Sequence, residues 1–218
     1  MENKTYKVQE MFQWFSQFNG KQIRIQGETK IFDIELNEST LPHLLGIHYV
    51  NKNYRDNKAM EVYRHIQEKN LSDQEIYRKI EKNNPDKLKS VKQRINTLQK
   101  FLENIEKGYI VEQTKPKTNI KSNYLVIRSE DNNFFHLGIH QSKNTYLETY
   151  FVQNNMNYFE NSQIIESIIG LYQYNEKTLS FEPFSFHQKE HILEKEGRTM
   201  NLYQYFGCKN KEELYHLV

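Results

Sequence analysis

The sequence predicts an α+β fold, with a small antiparallel sheet of about four to five strands, an N-terminal helix and a long helical insertion. Three observations carry that reading. Apolar and polar residues alternate with a period of two near 21–36 and again across 124–153, the mark of half-buried strands. Between 54 and 107 the apolar residues recur instead at three and four, the period of a helix. Short clusters of turn formers separate the strand-like runs, which joins neighbouring strands antiparallel.

The elements follow in order. In "YKVQEMFQWFSQF" residues Met11, Phe12, Phe15 and Phe18 share one helical face, and Gly20 closes the helix. "KQIRIQ" sets Ile23 and Ile25 on one side. After a turn at Gly27, "KIFDIEL" sets Phe32, Ile34 and Leu36 opposite Ile31, Asp33 and Glu35, so the two runs read as a hairpin. "STLPHLLGIHYV" offers Ser39 or Thr40 before Pro42 as a helix start, and Gly46 limits that helix to a turn or two.

Residues 54–107 then read as helices. Ser72 and Glu75 form a capping box, and Pro85 opens a long helix whose Val91, Ile95, Leu98, Leu102 and Ile105 make an apolar seam ended by Gly108. Its outer face carries Lys87, Lys89, Lys92, Arg94 and Lys100, either as a solvated face or as a track for phosphates. A basic loop with Lys115, Lys117 and Lys121 follows. "YLVIR", "NFFHLGIH" and "TYLETYFVQ" form a three-stranded meander, "SQIIESIIGLY" (162–172) reads as a helix, and a strand pair around 172–186 leads to a last helix from Lys209. The expected organisation is one α+β domain over residues 1–160, its insertion at about 54–107, and a helix-strand-helix extension over 161–218 packed on it.

Composition narrows the chemistry. The 218 residues are 37% hydrophobic and 13% aromatic, enough for one sizeable core, and a net charge of +2 permits contact with nucleic acid without requiring it. No apolar run approaches the roughly 20 residues of a membrane span, and the first ten residues lack the apolar stretch of a signal peptide. No membrane is expected, and a bacterial host cytoplasm is the expected compartment. Ala59 is the only alanine amid abundant Lys, Asn and Ile, as in genes of low G+C bacteria or their phages. A single cysteine, Cys208, excludes an internal disulfide and a cysteine-rich zinc site. GxSxG, P-loop and GxGxxG patterns are absent, which removes the usual hydrolase and nucleotide-dependent sites.

The stretches "HLLGIH" (43–48) and "HLGIH" (136–140) stand out. On a strand His136 and His140 share a face, whereas on a helix His48 lies roughly 140° round from His43. Neither spacing suits a metal, so no metal and no cofactor is expected. Metal-independent RNA cleavage needs only a base for the 2′-OH proton, an acid for the leaving oxygen and donors for the phosphorane charge. Candidates placed by geometry are His136, His140 and Arg128, the last on a strand next to His136. Each histidine has a second reading as a core residue bonded to backbone. Tyr146 and Tyr150 read either as core or as rings that stack on a base.

The blocks "LPHLLGIHYV", "RINTLQKFLENIEKG" and "YLVIR…FFHLGIH…TYLETYFVQ" resemble the phage members of the barnase, EndoU, colicin and RelE-like nucleases, specifically the fourth family of that phage group, over roughly residues 10 to 155. The resemblance implies a ribonuclease-like fold with its site on an exposed sheet face and metal-free RNA cleavage. It matches His43 to the histidine of an HLLG block, and places Tyr146 with Thr149 or Tyr150 where a late strand carries Tyr-x-x-x-[Ser/Thr]-Phe-Phe. Here that strand reads "YLETYFV".

The function expected is therefore a metal-independent ribonuclease acting as a toxin or phage effector, with RNA bound through Lys92, Lys115, Lys117, Lys121 and Tyr150. The competing class is a non-catalytic phage protein that blocks a host defence nuclease or another nucleic-acid machine. In that role residues 54–107 would form a mobile helical arm. An antitoxin or a host defence protein is the partner each reading implies, and a plain RNA-binding module is a third reading.

Overall fold

Helix α1 (Lys7–Ser16) forms where apolar residues recur at helical spacing, and it buries Val8, Met11, Phe12, Trp14 and Phe15. In this computed structural model, which describes residues 7–52, 59–115, 118–130 and 132–187, α1 closes one side of a core shared by two antiparallel sheets. The hairpin β1 (Gln22–Gln26) and β2 (Ile31–Glu35) pairs Ile23 with Ile34 and Ile25 with Phe32, so one face is apolar and buried. The α+β class holds.

The meander is β4 (Tyr124–Glu130), β5 (Asn133–Gln141) and β6 (Thr145–Gln153), joined by β3 (Tyr109–Glu112) and β7 (Ile165–Ser167) into a five-stranded sheet of order β6-β5-β4-β3-β7. A second sheet of four strands, β2-β1-β8-β9, takes β8 (Gly170–Asn175) and β9 (Ser180–Pro183) beside the hairpin. Period-two alternation gives the five-stranded sheet two buried faces. Ile110, Val126, Leu137, Ile139 and Tyr150 enter the main core, while Val111, Leu125, Ile127 and Phe151 join Phe159 in a smaller cluster.

Residues 162–172, expected to be a helix, are instead β7, a crossing and the start of β8. Burial explains the correction. Ile165 and Ile169 stay 65% and 56% exposed while Glu166 and Ile168 are buried, so the apolar residues do not cover one helical face, and the β-branched isoleucines suit a strand. Burial of Glu166 is possible because its carboxylate accepts the backbone N–H groups of Thr29 (2.8 Å) and Lys30 (3.0 Å) and the Thr29 hydroxyl. The helix expected from Lys209 lies outside the described residues.

The helical segment is α3 (Ala59–Glu68), α4 (Asp73–Asn83) and α5 (Leu88–Leu102). Ser72 and Glu75 form the expected capping box. A mobile arm is ruled out by burial, because Val62, Ile66, Ile76, Ile80, Val91, Ile95 and Leu98 all enter the main core. The outer face of α5 also needs correction at Arg94, which turns inward and donates from Nε to Ser90 Oγ at 3.2 Å.

Tyr150 ties β6 to α5. Its side chain is fully buried, its ring lies 5.3 Å from that of Phe101, and its hydroxyl donates to Thr97 Oγ1 at 2.9 Å. Tyr150→Phe should lower stability by about 1 kcal/mol and Tyr150→Ala by about 3 to 5 kcal/mol in urea titrations. Equal midpoints for wild type and Tyr150→Ala would remove Tyr150 from the core.

Candidate functional site

Pro42 sits in the first turn of α2 (Leu41–Leu45), and Gly46, at φ +74°, ends it in the left-handed region that glycine enters without strain. Four buried anchors, Leu41, Leu44, Leu45 and Ile47, fix the segment on the core. The reversal at Gly46 starts a 3₁₀ turn (Ile47–Val50) that returns His48 to His43, with ring centroids 5.0 Å apart. On one continuous helix the two rings would have diverged.

Facing them is a β-bulge in β6. Gly138 pairs with Thr149 and Ile139 with Leu147, leaving Glu148 as the extra residue. The Glu148 carboxylate accepts the Lys121 N–H at 2.8 Å and the Ser122 hydroxyl. A Cβ at position 138 would stand 2.4 Å from Ser122 Oγ and 2.9 Å from Thr149 Cγ2, so the glycine of "HLGIH" is what lets the chain close around the bulge.

Between these elements lies a cleft of about 740 Å³, lined among others by His43, His48, Arg94, Lys121, Tyr146, Glu148 and Thr149, with the rings of Tyr49 and Tyr158 also in its wall. His43 reaches solvent, but partial desolvation holds its pKa below 6.5 against the pull of the Glu148 charge. His48 is pushed down to about 4, first by burial and then by His43, while its Nδ1 donates to the Pro42 carbonyl at 3.4 Å. Burial lowers the Arg94 pKa from 12.5, and its Nη1 points toward the His43 carbonyl at 3.5 Å. The cleft thus holds a neutral imidazole, a desolvated guanidinium and hydroxyl donors.

Of the residues expected from sequence, the cleft gathers His43, Lys121, Tyr146 and Thr149. His140 stands behind them, its ring 4.9 Å from Tyr146 and its Nδ1 donating to the Lys121 carbonyl at 2.8 Å. His136 is not at the surface. It is fully buried, stacked on Phe151 at 4.5 Å and flanked by Tyr158 and Phe159, without a well-formed hydrogen bond at either ring nitrogen. Burial pushes its pKa down to about 4, opposed by the nearby backbone of Phe151 and Phe134. Arg128 pairs across from Phe135 while His136 pairs from Ile127, so the two occupy opposite faces of the sheet. Tyr150 is closed to any base by its burial. Lys92 lies on α5 over the Tyr77 ring at 5.1 Å and does not line the cleft. Lys115 sits over the Tyr158 ring at 4.2 Å, and Lys117 lies outside the described residues.

Sequence reasoning missed His48 and Glu148 as site residues and set Arg94 on the outer face of α5 rather than in the cleft. Gly46 was the available signal for His48, since a left-handed glycine reverses the chain. For Glu148 the strand sequence shows no bulge, and Arg94 looks like any other cation on an amphipathic helix.

Comparison with known proteins gives one finding on this site's lineage. A family model described as phage-Barnase-EndoU-ColicinE5/D-RelE like nuclease 4 matches residues 7–190. No curated protein and no solved structure matches the chain.

Two titrations follow from the geometry. The His43 ring should titrate below 6.5 by NMR, and Glu148→Gln should move it lower still, because the carboxylate that favours the imidazolium is gone. An unchanged value would separate the two groups. For His136 the folded pKa, about 4, lies below the unfolded 6.5, so the unfolded chain binds more protons between those values. Stability is complete above 6.5 and falls by up to about 1.4 kcal/mol per pH unit as pH drops toward 4. His136→Phe should flatten that fall in urea titrations across the window. A variant as acid-sensitive as wild type would contradict the neutral burial.

Proposed function

The chain belongs to the phage-Barnase-EndoU-ColicinE5/D-RelE like nuclease 4 family, and from that premise we propose that it is a metal-independent endoribonuclease acting in a bacterial cytoplasm. The observation that carries the reading is the convergence on one cleft of His43 from α2, Arg94 from α5, Lys121 from the loop before β4, and Tyr146 and Thr149 from β6. These are the groups that cleavage by an internal hydroxyl needs, and they arrive from elements far apart in sequence.

In the proposed step the 2′-oxygen of the substrate forms a bond to phosphorus as His43 takes its proton. The bond from phosphorus to the 5′-oxygen breaks, and that oxygen leaves with a proton from the Tyr146 hydroxyl. The products are a 2′,3′-cyclic phosphate and a free 5′-hydroxyl. His43 suits the base role because partial desolvation keeps it neutral at pH 7. Arg94 and Lys121 face the charge that grows on the phosphorane, and desolvation strengthens Arg94 in that role. Thr149 adds a hydroxyl donor, Lys115 a phosphate contact beside Tyr158, and His140 holds Tyr146 and the Lys121 loop.

The proposed step uses side chains alone. Among the described residues no three His, Cys, Asp or Glu groups gather that could hold a metal ion. Nor does any described helix have the length and apolarity to cross a membrane.

Purified protein incubated with total RNA in EDTA should cleave it, and His43→Ala and Arg94→Ala should each cost roughly a hundredfold or more in rate. The His43 variant should melt as wild type does, since its side chain is exposed. Cleavage that appears only when zinc or manganese is supplied would sink the metal-free step. RNA bound but never cut would favour the non-catalytic class.

A further inference from the structure

The four-stranded sheet turns one face to the core and the other to solvent. Ile23, Ile25, Phe32, Ile34 and Leu171 point inward. By alternation the opposite side pairs Arg24 with Asp33 and Tyr172, Tyr172 with Pro183, and Tyr174 with Phe181. That side is open, with Ile31 46% exposed and Asp33, Glu35 and Pro183 exposed beside it. None of these residues lines the cleft, so the proposed chemistry does not use them.

Its side chains already hold one another. Asp33 accepts Arg24 Nε at 2.7 Å and Nη2 at 2.8 Å, and the guanidinium so fixed lies 3.8 Å from the Phe181 centroid. Phe181 packs in turn on Tyr174 at 5.4 Å. The Tyr172 ring lies over Gly170, where an added Cβ would meet its Cε2 at 2.3 Å, so it is spread along the sheet. A row of ordered rings results, the residue type enriched where proteins meet.

Leu179 stands at the tip of the β8–β9 hairpin, 75% exposed and at φ +51°. The other non-glycine residues at positive φ among the described residues are Asn70 and Asn132, a type that tolerates this region as leucine does not. Burial does not offset the strain, because the side chain lies in water. The turn is nonetheless braced: Lys177 N–H donates to Asn175 Oδ1 at 2.9 Å, while Asn175 Nδ2 and the Thr178 hydroxyl donate to Glu182 Oε1 at 2.7 and 3.1 Å. A strained apolar side chain held out by a fixed turn is placed to meet something outside the chain.

Charge selects the occupant. Residues 22–35 and 170–183 carry five carboxylates, Glu28, Asp33, Glu35, Glu176 and Glu182, against the cations Arg24, Lys30 and Lys177, although the whole chain stands at +2. Arg24 is matched by Asp33, and Lys30 leans over Tyr124 at 5.3 Å. Phosphates of a nucleic acid or an anionic lipid would be repelled here. Lysine and arginine on a protein would find carboxylates and ring faces together.

We propose that this face docks a partner protein through a basic contact surface, with Leu179 entering an apolar socket and the rings of Tyr172, Tyr174 and Phe181 covered by cationic side chains. The surface is separate from the cleft and does not depend on the ribonuclease reading.

The test uses the full chain and two short fluorescein-labelled peptides as probes, one alternating leucine with arginine and the other leucine with glutamate. Fluorescence anisotropy should show the arginine peptide bound. Leu179→Gly should raise the melting temperature, since glycine enters that region without strain, and still weaken the arginine peptide about tenfold. Phe181→Ala should weaken it about as much, and neither variant should alter the glutamate peptide. No binding of the arginine peptide, a loss shared equally by the glutamate peptide, or a Leu179→Gly variant that binds as wild type does would overturn the proposal. So would labelled RNA that loses affinity in Phe181→Ala, which would make the face a nucleic-acid surface. A dimer in sedimentation that dissociates in Leu179→Gly would overturn it as well, giving the face to a second copy of the chain.

Discussion

Glu166 buries a carboxylate at the place where the chain passes from one sheet to the other. Strand β7 belongs to the five-stranded sheet and β8 to the four-stranded one, with only Ile168 and Ile169 between them. An ionised carboxylate taken from water costs several kcal/mol unless its oxygens are satisfied. Here the turn of the first hairpin satisfies them. Desolvation would raise the Glu166 pKa, but the donors at Thr29 and Lys30 hold it below 4.5. The same crossing is fixed on either side, because Ile168 N–H donates to the Gly108 carbonyl and Ile169 N–H to that of Gln26. A Cβ at Gly27 would meet Glu166 Oε2 at 2.6 Å, so a side chain there would push the carboxylate from its seat on the hairpin turn.

That joint makes the two sheets one core. The hairpin lays Phe32 against Tyr124 of β4, 5.1 Å between ring centroids, and α5 then covers the sheet with Val91, Ile95 and Leu98. Once α5 and β6 are locked by Tyr150, the positions of Arg94 and Glu148 are no longer independent. The cleft exists because helix and bulge are held at a fixed separation by the core behind them. Its chemistry follows from that enclosure, since burial keeps the imidazoles neutral and lowers the pKa of Arg94.

The two histidine stretches have opposite fates for a physical reason. In "HLLGIH" the apolar residues are anchors and the histidines project from the reversal at Gly46, so both reach the cleft. In "HLGIH" the strand has two buried faces, so His136 is buried whichever way it alternates, and its register turns it to Phe151 and Phe159 of the smaller cluster. His140, near the end of the same strand, clears that cluster and meets Tyr146. Similar words in sequence therefore serve different ends, set by whether one or both sides of the element are covered.

By itself the sequence determined the elements whose signals are local: α1, the hairpin, the capping box at Ser72, the seam of α5 and the three-stranded meander, each fixed by periodicity and turn chemistry within a dozen or so residues. It also marked His43, Lys121, Tyr146 and Thr149, which the cleft brings together. Tertiary structure alone decided what depends on a partner distant in the chain. Residues 162–172 became strands because Glu166 found Thr29 and Lys30, 136 to 137 positions away. Arg94 turned inward because α2 lies against α5, His136 sank because the 158–159 segment covers its face, and Glu148 entered the cleft through a bulge that only strand pairing reveals. Burial and register are properties of pairs of segments, and a local pattern holds only one member of each pair.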